Sequence, residues 1–330
     1  MSDPILLALD FGGTKLSAAT VNTGAREWSA LKRVMTPPNK DAHYDTATMF
    51  DLARQLLDGR TPAGIGVSFG GPVDARRGRV ILSHHVPGWE DAPLREQLQE
   101  AFRAPASIDN DANVAALGEY HFGAGVVGGR RVSSLLYVTV STGVGGGWVL
   151  DGAIYGGADA MAGEIGHTIV DPQGPVCICG RRGCVEVMAC GPAIAREARA
   201  RLMVEPRAGQ VLRALVYNNI DAITGERVAR AANEGDALAR AVIDHAAHAL
   251  GWGIGTAITL INPERVVVGG GVSKTGEWYF EGVRAAARSN TLPQMRVDIV
   301  PAALGDDAPL WGAVALAEQL VKDHLSERAD

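Results

Sequence analysis

The chain has 330 residues, more than one hydrophobic core usually organises, so two domains are expected. Apolar residues make up 47% and charged residues 21%, with a net charge of −6 and no basic run longer than two, which excludes a nucleic-acid surface. No apolar run reaches membrane-spanning length, so a soluble cytoplasmic protein is expected, and the 41 glycines exceed the usual share of about 7%, pointing to backbone-mediated binding loops.

Met1-Ser2-Asp3-Pro4 leads straight into Ile5 to Asp10, an apolar run read as a buried strand. Asp10-Phe11-Gly12-Gly13-Thr14-Lys15 follows, and Leu16 to Val21 resumes a strand. Such a hairpin is either a plain turn or one whose amides approach a phosphate, with Asp10 placed to hold Mg²⁺ through water. Asp45 to Leu57 and Ala92 to Phe102 have helical spacing, and Ile65 to Phe69 reads as a strand ending in the turn Gly70-Gly71-Pro72. His84 and His85 are adjacent, so on a strand they face opposite ways and form no single metal site; a surface or substrate-lining place is expected. Asp109-Asn110-Asp111 stands where a strand gives way to a helix near Ala112, suiting either a helix cap or a grip on a polyhydroxylated ligand.

Leu135 to Val140 is a strand entering Ser141-Thr142-Gly143-Val144-Gly145-Gly146-Gly147, and Trp148 to Leu150 leaves as a second strand. This repeats the pattern at Asp10, so two related domains are expected, each offering backbone N–H groups to a nucleotide's phosphates. Pro192 to Met203, Gly225 to Ala232 and Asp236 to Leu260 are helical, the last rich in the small residues of close helix packing. His245 and His248 in it have no surrounding ligand motif. Arg265 to Val268 is a strand running into Gly269-Gly270-Gly271-Val272, a loop against which a flat adenine can lie. Leu310 to His324 is a final amphipathic helix.

Gly163 to Glu186 concentrates the unusual chemistry. Three of the four cysteines fall within it, at Cys177, Cys179 and Cys184, in Cys-x-Cys-Gly-x-x-Gly-Cys spacing. Gly180 and Gly183 let the backbone fold tightly enough to aim three sulfurs at one point. His167 would complete a closed tetrahedral zinc site, and Cys190 is the alternative fourth ligand. Disulfides need an oxidising compartment, which a chain without a signal peptide does not reach.

Together these motifs resemble the ROK family of sugar kinases, within the actin-like ATPase superfamily, over nearly the whole chain. Asp10 to Lys15 resembles the first phosphate motif, Ser141 to Gly147 the second, Gly269 to Val272 the adenosine motif and Asp109 to Asn113 the catalytic signature. The pairing of Glu164-Ile165-Gly166-His167 with Cys177 to Glu186 is the most specific element. The resemblance implies an α/β, two-lobed actin-like (ribonuclease H-like) fold with a ligand cleft between lobes. Residues 1–116 plus 310–330 would form the N-terminal small lobe and 117–309 the C-terminal large lobe carrying the zinc knuckle, with the last helix packed back on the N-terminal lobe. It further implies an ATP-dependent hexokinase that phosphorylates the 6-hydroxyl of glucose or a relative.

On that resemblance Asp111 would be the base, and Gly71, Asn110, Glu164, His167 and Glu186 would join it in holding the sugar. Asp10, Gly12, Gly13, Thr14, Lys15, Thr142, Gly143, Gly145, Gly270 and Gly271 would hold Mg²⁺ and ATP. His167, Cys177, Cys179 and Cys184 would bind a structural zinc, His167 using its other ring nitrogen on the sugar. A homodimer or homotetramer is the family expectation. Where glucokinase-type members often read Asn-Leu-Pro-Gly-Trp this chain has His85-Val86-Pro87-Gly88-Trp89, a change that bears on which hexose is taken, and Cys190 stands where the family usually has Ser. Other acceptors (N-acetylmannosamine, N-acetylglucosamine, fructose, allose), polyphosphate as donor, and a non-catalytic sugar sensor remain the alternatives. Regulators of this family carry a helix-turn-helix before the first strand; with that strand read as beginning at Ile5, none is expected here.

Overall fold

The structure, a computed structural model, describes residues 4–83 and 86–327. His84 and His85 lie outside the described residues. The chain divides into two compact units, Met1–Val132 with Gly147–Ala162 and Ala303–Asp330, and Ser133–Gly146 with Gly163–Ala302.

In unit 1, β1 (Ile5–Phe11) is buried throughout, and β2 (Lys15–Asn22) is buried from Leu16 to Val21. Each fully buried Leu of β1 contributes roughly 1.5–3 kcal/mol through removal from water. The two pair antiparallel, with Asp10 opposite Ser17, and β3 (Ala30–Met35) adds an outer strand. α1 (Ala42–Leu57) begins at Asp41, whose carboxylate accepts the Tyr44 N–H. β4 (Gly64–Phe69) runs parallel to β1 and is followed by the short hairpin β5 (Val73–Asp74) and β6 (Arg79–Val80). After α2 (Leu94–Phe102), β7 (Ala106–Asn110) pairs parallel with β4 and passes directly into α3 (Asp111–Phe122). The sheet order is β3-β2-β1-β4-β7. Its register puts Asp10 beside Ser68 and Ser68 beside Asp109, so one row of polar residues ends three parallel strands.

A small hairpin, β8 (Val126–Val127) and β9 (Arg130–Arg131), precedes the second sheet. That sheet is ordered β12-β11-β10-β13-β14 from β10 (Ser134–Val140), β11 (Val144–Leu150), β12 (Ala153–Ile154), β13 (Arg265–Gly269) and β14 (Asp298–Pro301). Between β12 and β13 lie α4 (Glu186–Ala189), α5 (Gly191–Val204), α6 (Gln210–Leu215), α7 (Gly225–Asn233) and α8 (Ala237–Ile261). α9 (Glu277–Ser289) joins β13 to β14, and α10 (Ala308–Glu327) ends the chain. Among the described residues no helix is long and apolar enough to cross a membrane.

Three features depart from the sequence pattern. β11 starts at Val144, so Gly145 to Gly147 belong to a strand and not to the turn. The reason is close approach: a Cβ on Gly147 would stand 2.6 Å from the Ala112 carbonyl oxygen. Strands β3 and β14 carry no clear signal because both are edge strands with largely exposed or half-buried residues. The division of the chain also differs from the expected boundaries at 116/117 and 309/310. α3 runs unbroken across the first boundary, and Gly312 of α10 sits so close to the Val114 carbonyl that a Cβ would meet it at 1.7 Å. Both helices therefore belong wholly to unit 1, with α10 packed on β4 and α3.

Candidate active site

Unit 1 gathers carboxylates where its parallel strands end. Asp10 is buried at the end of β1, and its Oδ1 accepts the Ser68 hydroxyl at 2.9 Å. Burial pushes its pKa up to about 6, while Ser68 and Lys15 pull in the opposite direction. Asp111 is the first residue of α3, half-buried, with Oδ2 beside Gly70. Its pKa is also pushed up to about 6, chiefly by burial and next by the charge of Asp10. Burial likewise raises Asp109, which accepts the Asn113 amide at 3.0 Å and the Asn110 N–H at 2.7 Å.

Asn110 does the work of a cap. Its Oδ1 accepts the Ala112 N–H at 3.0 Å and its Nδ2 donates to the Gly71 carbonyl at 3.0 Å. The same amide also hydrogen-bonds to the Asp111 carboxylate, and its bond to Gly71 ties that turn to the start of α3. Gly12 donates to the Lys15 carbonyl at 3.1 Å, closing a tight turn in which Gly13 and Thr14 are exposed at the tip.

Unit 2 holds the cysteine knuckle. His167 Nδ1 stands 3.6 Å from Cys177 Sγ, and Cys179 Sγ stands 3.6 Å from Cys184 Sγ. All four ligand atoms lie within 4.8 Å of one another. A tetrahedral zinc sets neighbouring sulfurs about 3.8 Å apart and a sulfur–nitrogen pair about 3.6 Å apart, so the donor set fits that ion. No cysteine is bridged, and Cys190 lies outside the group, at the cap of α5. Gly183 is obligatory: its φ is +65°, and a Cβ there would meet the Asp171 carbonyl oxygen at 1.5 Å. Backbone and side-chain hydrogen bonds from Arg181 draw the Cys179 thiol down to about 6, favouring the thiolate that binds metal.

Glu164 immediately precedes the short 3₁₀ turn Ile165–His167, makes no capping side-chain hydrogen bond and is exposed. Glu186 opens α4, immediately after the knuckle, and its Oε2 accepts the Val144 N–H at 3.0 Å. The knuckle is thus fastened to the second glycine motif. Beside that motif is a cavity of about 970 Å³ lined by Ser141 and Thr142, by Gly271 and Val272, and by the starts of α5 and α7 at Pro192 and Gly225. Gly270, with φ of +88°, lets the loop press against β10, where a Cβ would stand 2.4 Å from the Val140 carbonyl oxygen. Gly143 lies beside the Glu186 carboxylate, and Gly145 is in β11. His245 and His248 are exposed on α8 and belong to no metal-ligand group among the described residues.

Sequence reasoning did not find Ser68, Lys40 or the α5 and α7 walls of the cavity. Ser68 is an ordinary residue inside an apolar strand, and only the β1–β4 register brings it to Asp10.

The ROK family profile matches residues 6–320, and this chain belongs to that family. A glucokinase of Halalkalibacterium halodurans is 35% identical over 97% of this chain and 96% of its own. An N-acetylmannosamine kinase of Citrobacter koseri is 34% identical over 94% and 98%. The crystal structure of a ROK family glucokinase from Streptomyces griseus, in complex with glucose and AMPPNP, superposes with a TM-score of 0.80 at 31% identity, covering 96% of this chain and 99% of that one. The fold is accordingly the two-lobed, mixed α/β actin-like ATPase fold.

Proposed function

We propose that the protein is an ATP-dependent hexokinase of the glucokinase type, transferring the γ-phosphoryl group of Mg·ATP to the 6-hydroxyl of glucose. The observation that carries this is the place of Asp111, a carboxylate opening α3 beside Gly70 where the parallel strands end, in a chain similar to glucokinases. Burial and Asp10 raise its pKa to about 6, which suits a base at neutral pH. Asp111 takes the proton of the sugar hydroxyl, whose oxygen forms the new bond to phosphorus while the bond to the ADP oxygen breaks. Little covalent help is needed; positioning and charge neutralisation dominate.

Asp10 has one carboxylate oxygen left after its bond to Ser68 and suits Mg²⁺ through water, and the metal neutralises triphosphate charge when bound. Amides of Gly13, Thr14 and Lys15 serve the phosphates from one motif, and Thr142 and Gly143 from the other. The 970 Å³ cavity takes the nucleoside, with Gly270 and Gly271 against the adenine. Glu164, Glu186 and the free Nε2 of His167 hold sugar hydroxyls, together with Asn110 and the Gly71 turn. His167, Cys177, Cys179 and Cys184 would hold a zinc ion, and that ligation would orient the His167 ring and the flanking carboxylates.

The similarity to an N-acetylmannosamine kinase favours a second acceptor reading. An ADP-release assay with Mg·ATP across glucose, mannose, fructose, allose, N-acetylglucosamine and N-acetylmannosamine separates the two. Glucose is expected to have the highest kcat/KM. A preference for an N-acetylated sugar moves the assignment, and no turnover by zinc-loaded folded protein overturns it.

A further inference from the structure

Behind the first phosphate turn lies an ion pair that neither catalysis nor simple packing accounts for. Lys40 and Asp45 have side chains only 3% exposed, and Lys40 Nζ stands 2.9 Å from Asp45 Oδ1. The two opposite charges are in direct contact. Lys40 Nζ also donates to the Gly12 carbonyl at 3.1 Å, in the middle of Asp10 to Lys15. Asp45 has a second partner in Trp89, whose side chain hydrogen-bonds to it. Trp89 is 1% exposed and packs edge-on against Phe11 and Phe69, at 5.7 and 4.9 Å between ring centroids. The same region is stitched by the Ala42 N–H, which donates to the Pro87 carbonyl at 2.9 Å. Burial pushes the Asp45 carboxyl up, against the pull of Lys40 and Trp89, which shows what the site costs to keep charged.

A buried ion pair is a poor way to gain stability, because desolvating both charges offsets most of their attraction, and two apolar side chains would pack as well or better. What an apolar pair lacks is a donor for Gly12. We propose that Lys40, held by Asp45, is a positioning residue that clamps the phosphate turn through the Gly12 carbonyl and ties it to the Val86–Trp89 loop through Asp45 and Trp89. The clamp fixes Gly12 from behind, so that the amides of Gly13, Thr14 and Lys15 keep their aim when triphosphate arrives. This rests on the kinase reading for its effect on turnover, but not for its effect on the turn.

The test compares Lys40→Met with the double variant Lys40→Met/Asp45→Leu. The single variant leaves Asp45 buried and unpaired and is expected to melt well below wild type. The double variant is expected to recover the melting temperature while kcat/KM for Mg·ATP stays down by about a hundredfold, the scale of a misplacement near 1 Å. Amide exchange of Gly12 to Lys15 in the ligand-free double variant is expected to accelerate while that of α1 and β1 does not. Recovery of both stability and kcat/KM by the double variant, with unchanged exchange in the turn, overturns the clamp. If the double variant does not fold, exchange in Lys40→Met, referred to α1 and β1, decides. An inactive wild type defeats the kinase reading alone, because the exchange comparison still reads the clamp.

Discussion

The two five-stranded sheets share one strand order, with the first strand in the middle, the next two on one side and the last two on the other. They present their chemistry by different means. In the first sheet the polar row of Asp10, Ser68 and Asp109 is built into strand ends, with Asp111 opening the helix that follows. In the second, the chemistry sits in the long insertion between β12 and β13, which carries the knuckle and two walls of the cavity. One sheet fixes carboxylates through register and burial; the other serves as a base for loops that bring three sulfurs and a histidine together and for helix starts that wall a cavity. The lesson is that a repeated scaffold can present different side-chain chemistry according to where it accepts extra chain.

Removing the acid of the first sheet should have the largest effect. Asp111→Asn is expected to lower kcat by about 10²–10⁴-fold, the usual contribution of general base catalysis, while glucose binding measured by calorimetry persists. Near-normal turnover in the pure variant would leave Asp111 as no more than a helix-start residue.

The corresponding break in the second sheet's insertion is Cys179→Ser. Wild type is expected to contain about one zinc per chain by elemental analysis, as a closed four-ligand site does, and the variant none. Because the knuckle would orient sugar-holding residues and not the base, kcat/KM for glucose should fall about 10–100-fold, the range for disturbed metal surroundings. A metal-free protein of full activity would remove zinc from the account.

The smallest effect sharpens the electrostatics of the first sheet. Asp10 and Asp111 both titrate higher in the folded chain, near 6, than the ordinary 3.8. Their contribution to stability is therefore present below about pH 4 and is lost as pH rises through about 6. Asp10→Asn should raise the melting temperature of ligand-free protein at pH 7, with the gain shrinking toward pH 4. In wild type kcat/KM should fall on the acid side with an apparent pKa near 6, a value belonging to the pair. In Asp10→Asn that limb should move to lower pH, since the second cause of the Asp111 shift is gone, although lost Mg²⁺ support lowers the whole profile. An unmoved limb would assign the shift to burial alone.

The glycine turns, the cysteine spacing and the Asp109 to Asn113 junction were legible because each is local. Their chemistry depends on residues within a few positions, and glycine or cysteine at fixed intervals has few other uses. Even the division of roles within the junction was foreseeable as an open choice, and Asn110 shows that one amide can cap α3 and tie down the Gly71 turn at once. The edge strands β3 and β14 were not legible, since half-exposed strands lack a strong alternation. Nor was the start of β11, where the glycines serve close approach to Ala112 as well as the turn.

By itself, then, the sequence determined the motifs, their order and the sulfur-and-histidine set, because local spacing fixes which backbone can turn and which donors can converge. Only the tertiary structure decided that Ser68 meets Asp10, that Asp111 feels the charge of Asp10, that Lys40 and Asp45 are buried behind Gly12, and that α5 and α7 wall a cavity beside Ser141. Those facts come from strand register and helix packing between residues tens to more than a hundred positions apart, and they set the burial on which each carboxylate's proton affinity depends.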